Sequence, residues 1–183
     1  MKSILIGYFP KKTAAKPETL NAPNVKMICS ASDCISEAPE GWIDRWKHND
    51  FFLYNSIEMA GLILKKTDDK DNYDIYAYKQ YPIRVQDGEV MSETISPPNV
   101  EPLDKSFMFL GYDAVSNSVG SGFECSPLSC NGGAETMKVN QYCLFETYEE
   151  ALAGAIEFSK GNWERGPYYV VEVYRKIRHT PLL

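Results

Sequence analysis

Four of the five cysteines fall into two frames of one form, Cys29-Ser-Ala-Ser-Asp-Cys34 and Cys125-Ser-Pro-Leu-Ser-Cys130. Paired cysteines serve three kinds of chemistry. If the two frames met, Cys29, Cys34, Cys125 and Cys130 would be the ligand set of a zinc ion. All-cysteine zinc sites usually separate paired ligands by about two to four residues, so these frames lie at the edge of that range. Disulfides are a second use. The third is packing: serines dominate both frames, and serine favours turns and hydrogen bonds to backbone. On residue types alone the expectation is loop-packing cysteines with no metal and no cofactor.

A thiol nucleophile needs a base, commonly histidine. The chain has two, His48 and His179, and neither stands in a pattern that pairs it with a cysteine. Cys125 and Cys130 nevertheless lie in a glycine-rich loop, entered through Gly120-Ser-Gly-Phe-Glu and left through Asn131-Gly-Gly. Backbone N–H groups of such a loop could hold an oxyanion. These two thiols are therefore the candidate catalytic residues of an alternative reading, a small-molecule enzyme or sensor. The glycines read equally as a need for unusual turn dihedrals. No phosphate-binding glycine pattern, HExxH, nucleophile elbow or calcium loop accompanies them. The Asp68-Asp69-Lys70-Asp71 run lacks alternating oxygen-ligand spacing and reads as a solvated turn. Cys143, matched below to Phe52, reads as a small core hydrophobe.

A formal net charge of −6 opposes binding to phosphate backbones and anionic membranes, leaving a protein partner, and a basic one in particular. Aromatic content is high at 13%, with 12 Tyr and 3 Trp, and aromatic side chains anchor interfaces. The first half alone carries Pro39-Glu40-Gly-Trp42-Ile-Asp44-Arg-Trp46-Lys-His48. Its tryptophans, four apart, predict a short amphipathic helix. Trp42, Trp46 and Tyr78 are the candidate anchors, with Asp44 and Glu40 steering a cationic partner. The expected function is macromolecule binding of the inhibitor, immunity or adaptor kind. No segment approaches the ~20 apolar residues of a membrane helix. Lys11 and Lys12 interrupt the opening apolar run too early for a secretory signal. A cytoplasmic location with reduced cysteines is the resulting expectation.

The elements that would position these groups occur twice. Ile4-Leu5-Ile6-Gly7-Tyr8 resembles Met108-Phe109-Leu110-Gly111-Tyr112. The segment from Asn49 to Ala60 aligns without gaps to that from Asn140 to Ala151. The landmarks keep their order, and the spacing between copies shrinks along the chain, as shorter loops in a second copy would require. The reading is an α+β protein of two tandem-duplicated strand–strand–helix–strand halves, packed as a pseudo-twofold unit with a mainly antiparallel or mixed sheet. Residues 1–90 form one half and 105–183 the other. Residues 91–104, rich in proline, link them. Expected strands cover 3–9, 51–54 and 73–84, then 106–114, 142–145 and 168–178. The helices open at Ser56 and Thr147 and end near Lys66 and at Gly161. Capping-box spacing links Thr147 to Glu150, and Asn55 to Glu58.

Overall fold

The structure is a computed structural model that describes residues 1–32, 34–35, 38–39, 48–67, 70–118, 120 and 122–177. Its elements in chain order are β1 (Ile4–Lys12), β2 (Ala14–Ala15), β3 (Met27–Ile28), α1 (Ile57–Leu64), β4 (Tyr73–Gln80), β5 (Ile83–Gln86) and β6 (Glu89–Ser92). There follow β7 (Phe107–Ser116), α2 (Pro127–Cys130), α3 (Tyr148–Lys160) and β8 (Tyr168–Lys176). The protein is α+β with few helices. Every strand pairing among the described residues is antiparallel.

β8 is the centre of the main sheet. One of its edges pairs with β4 and, at Tyr168, with β5; the other pairs with β7. β1 lies outside β4, and β6 lies outside β5. Runs such as Tyr168-Tyr-Val-Val-Glu-Val are buried on both faces, as a central strand demands. α3 packs on β5, β7 and β8, and α1 on β1 and β4. Ala151, Ala155 and Phe158 of α3 join Val85, Ala114, Tyr168 and Val170 in one core cluster. Ala60 and Ile63 of α1 join Ile6, Tyr8, Tyr76, Tyr78 and Val173 in the other.

One local device occurs twice. The register of β1 slips between Leu5 and Gly7, and that of β7 between Phe109 and Gly111. Both glycines have positive φ, 150° and 145°. At each bulge an asparagine reaches in: Asn49 Nδ2 donates to Ile6 O at 2.8 Å, and Asn140 Nδ2 to Leu110 O at 2.8 Å. Asn49 Oδ1 accepts from the N–H groups of Phe51 and Leu53, and Asn140 Oδ1 from those of Tyr142 and Leu144. These bonds satisfy N–H groups that a ladder partner would otherwise take. Segments 51–54 and 142–145 are therefore turns, not the expected strands. Phe52 and Cys143 sit in the left-handed region at φ 59° and 61°. Each turn keeps one bridge to the sheet, Tyr8 with Tyr54 and Tyr112 with Phe145.

Both helices begin where expected, although one cap differs. Thr147 and Glu150 form a full capping box. In α1 the cap is Ser56, whose side chain accepts from Met59 N. Asn55 is no part of it; its Oδ1 accepts from Asn49 Nδ2 at 3.0 Å. The strand expected over 73–84 breaks at Tyr81-Pro82, where proline has no N–H to give a ladder. β6 runs to Ser92, so the expected linker begins inside a hairpin. No described helix is long and apolar enough to cross a membrane.

Candidate functional site

The two cysteine frames, remote in sequence, dock on each other beside β7. The second frame follows a bridge between Ser116 and Cys125. Pro127 at the first helical position favours helix initiation, and the single turn of α2 fills the four-residue gap. Cys130 N donates to Ser126 O at 2.9 Å, which folds Cys130 back toward Cys125. In the first frame, Cys29 N donates to Tyr142 O at 3.1 Å, and the chain then turns through Ser30 to Ser32.

Two buried charges hold this turn. Lys11 Nζ donates to the carbonyls of Ser30 and Ser32, the latter at 2.9 Å. Asp113 Oδ2 accepts from Ala31 N at 2.8 Å, while its Oδ1 accepts from Ser126 Oγ at 2.7 Å. One carboxyl group thus touches both frames. Ser126 N donates to Ser32 Oγ at 3.1 Å, a direct tie between them. Burial pushes the Asp113 carboxyl up to about 6, against the opposing pull of Ser126, Ala31, Lys11 and Ala114.

The docking brings three thiols together. The Sγ atoms of Cys34, Cys125 and Cys130 all lie within 4.8 Å of one another. Cys34 Sγ donates to Glu124 O at 2.9 Å, and Cys125 Sγ to Asn131 Oδ1 at 3.1 Å. Cys125 is buried and Cys34 exposed, so the cluster runs from the interior to the surface. Side-chain interaction with the neighbouring Cys125 and Cys34 sulfurs draws the Cys130 thiol well below its ordinary range. Its bonds to Cys130 and Cys34, with burial, push Cys125 up.

Cys29 stands apart: its Sγ accepts from Tyr76 OH at 3.6 Å. Cys143 is fully buried in the second core cluster. No described histidine or carboxylate joins the three sulfurs. The ring of His48 packs against Tyr54 at 4.7 Å and Phe52 at 6.4 Å. Tyr78 is 0% exposed, stacked on Tyr76 and edge-on to Phe123. In this arrangement its ring packs in the core and is not exposed. Glu40, Trp42, Asp44 and Trp46, the helix expected for them, and His179 lie outside the described residues.

Sequence reading missed Lys11, Asp113, Ser32 and Ser126 as the residues that dock the frames. A signal existed: each charge interrupts an otherwise apolar strand, in Ile-Leu-Ile-Gly-Tyr-Phe-Pro-Lys and Phe-Leu-Gly-Tyr-Asp-Ala-Val. A charge at a strand position with buried neighbours must find partners. Comparison with protein families, curated proteins and solved structures finds no match to this chain.

Proposed function

We propose that the protein is a macromolecule-binding module of the inhibitor, immunity or adaptor kind, built on a tandem duplication and not a thiol enzyme. The observation that carries this choice is the company the thiols keep. Cys125 and Cys130, which an enzyme of the alternative kind would use, turn toward each other and Cys34, and no described base joins them. The Cys130 thiol is lowered by its two sulfur neighbours, not by a described histidine or carboxylate base of the kind a cysteine nucleophile commonly pairs with.

The scaffold also supports presentation of the tryptophan-bearing insert. Before the insert the chain is held by the Cys34 bond to Glu124 O and by Ile35 and Ala38 packed against the core; after it, the chain is held by His48 against Tyr54 and by the Asn49 bond to Ile6 O. Binding segments are often loops whose ends a rigid scaffold fixes. The return stem borders an open depression of about 340 Å³ lined by His48, Asn49, Asp50 and Phe52. Trp42, Trp46, Asp44 and Glu40 belong to the insert that these stems carry, and acidic side chains there would steer a basic partner.

The duplication reading rests on the recurrence of bulge glycine, asparagine turn and hydroxyl-capped helix in one order in both halves. A single ancestral unit would supply all three devices at once. Two unrelated segments would have to acquire them separately.

Capture from host lysate tests the binding role, with wild type compared against Trp42→Ala plus Trp46→Ala. A basic protein retained by wild type and lost by the variant, at unchanged thermal stability, supports the reading. Losing two interface anchors is expected to weaken capture by about 30-fold or more, since hot-spot truncations cost about 2 kcal/mol or more. Equal capture by both forms overturns it, as does turnover that Cys125→Ser abolishes.

A further inference from the structure

We infer that Cys34, Cys125 and Cys130 form a binding site for one thiophilic cation, zinc above all, which clasps the two cysteine loops together. The inference is independent of any partner. It rests on where three side chains from two remote segments have been brought.

Distances come first. A zinc–thiolate bond is about 2.3 Å, so sulfurs sharing a tetrahedral ion stand about 3.8 Å apart. Sulfurs already within 4.8 Å of one another reach that spacing by side-chain adjustment of about 1 Å, with no rearrangement of backbone. The donor set matches the ion as well: thiolates are soft ligands and favour zinc or copper(I) over calcium or magnesium. Binding displaces the thiol protons to solvent and leaves three sulfur–metal bonds. Cys34 is exposed, so water has access to a fourth position.

The loops are positioned for the purpose. Asp113 and Lys11, both 0% exposed, spend their hydrogen bonds on the turn of the first frame, and Asp113 also holds Ser126 beside Cys125. They fix the backbone that carries the ligands, one step further out than the groups that bond ligands directly in known metal sites. The helical turn of α2 resolves the unusual spacing. Four intervening residues are too many for a flat knuckle, but one of them caps the turn and the rest wind Cys130 back to Cys125. Selection among cysteines is built in too, because Cys29 is committed to Tyr76 and Cys143 to the core.

The test uses the full chain, purified with a phosphine reductant, stripped by chelator and titrated with zinc chloride against a chromophoric competitor. Cobalt chloride serves as the spectroscopic probe. One equivalent of zinc should bind, and cobalt should give a tetrahedral spectrum with thiolate charge-transfer bands. Cys34→Ser, Cys125→Ser and Cys130→Ser should each lower zinc affinity by at least about 100-fold, beyond the about 10- to 100-fold of outer-shell changes. Cys29→Ser and Cys143→Ser should leave it unchanged. If Cys125→Ser fails to fold, Cys34→Ser at its exposed position decides. Absence of stoichiometric binding overturns the proposal. So does a Cys34→Ser protein that binds zinc like wild type, or a cobalt complex without thiolate bands.

Discussion

Tyr78 and Val173 face each other across the junction of β4 and β8, and each also faces the bulge glycine of its own edge strand. Tyr78 lies opposite Gly7, and Val173 opposite Gly111. The neighbouring pairs follow suit: Tyr76 stands opposite Arg175, and Gln80 opposite Val171. Matching the halves through their glycines equates Tyr76 with Val171 and Gln80 with Arg175, so those two pairs exchange. A twofold axis through the Tyr78–Val173 pair would require that register, which supports the proposed duplication. It also means that equivalent substitutions can be compared across the halves.

Gly7→Ala and Gly111→Ala are the first such pair. A Cβ at Gly7 would lie 2.5 Å from Leu53 Cβ, and one at Gly111 would lie 2.6 Å from Phe145 O. The positive φ adds strain at both. Each substitution is expected to cost about 2 kcal/mol or more. Urea midpoints that move by less than the scatter between preparations would contradict this.

Asn49→Ala and Asn140→Ala should also act alike. Each removes one bond to a bulge carbonyl and two from turn N–H groups, and Asn49→Ala also removes the bond to Asn55 Oδ1. Leaving such groups unsatisfied costs about 1–3 kcal/mol. Chemical denaturation reads the loss. A large effect at one site and none at the other would show that the two turns do different work.

Asp113 makes stability depend on pH. Its folded carboxyl is raised to about 6 by burial, so the folded state holds this proton more tightly than the unfolded chain does. The resulting stability is fully present below about pH 4, the ordinary carboxyl range. It is lost as pH rises through about 6. The swing is about 3 kcal/mol, at about 1.4 kcal/mol for each unit. Unfolding should be compared at several pH values with Asp113→Asn, in chelator so that the thiols stay metal-free. The variant should lack the swing. It should also be less stable overall, because either orientation of the amide turns its NH2 toward a backbone N–H, that of Ala31 or that of Ala114.

Tyr78→Ala separates core from surface. With its ring buried among Tyr76, Phe123 and the first core cluster, truncation is expected to cost about 3–5 kcal/mol. A Tyr78→Ala protein that melts like wild type would restore the anchor role.

Sequence made the repeated landmarks visible because they are local. Glycine at a bulge, asparagine at a turn and a hydroxyl at a helix start each act within a few residues. The segments after Asn49 and Asn140 misled because alternating aromatics look like strands, whereas the asparagine carbonyl diverts their N–H groups. Asn55 misled for a similar reason: its spacing to Glu58 fits a capping box, but its side chain is bound to Asn49. The site was harder. That Cys34 meets Cys125 and Cys130 while Cys29 does not depends on Lys11 and Asp113, whose partners are remote in the chain. Equal spacing in the two frames suggested equal roles, and tertiary contacts assign different ones.

β8 comes last among the described elements in chain order, yet every other part of the main sheet is organised around it. A growing chain completes β4, β5 and β7 before their shared neighbour exists. Until Tyr168 and the residues after it arrive, the inner edges of β4 and β7 present unsatisfied backbone to any similar strand nearby. Copies made close together on one message are therefore exposed to cross-pairing throughout that interval. Arrival of β8 closes both edges together.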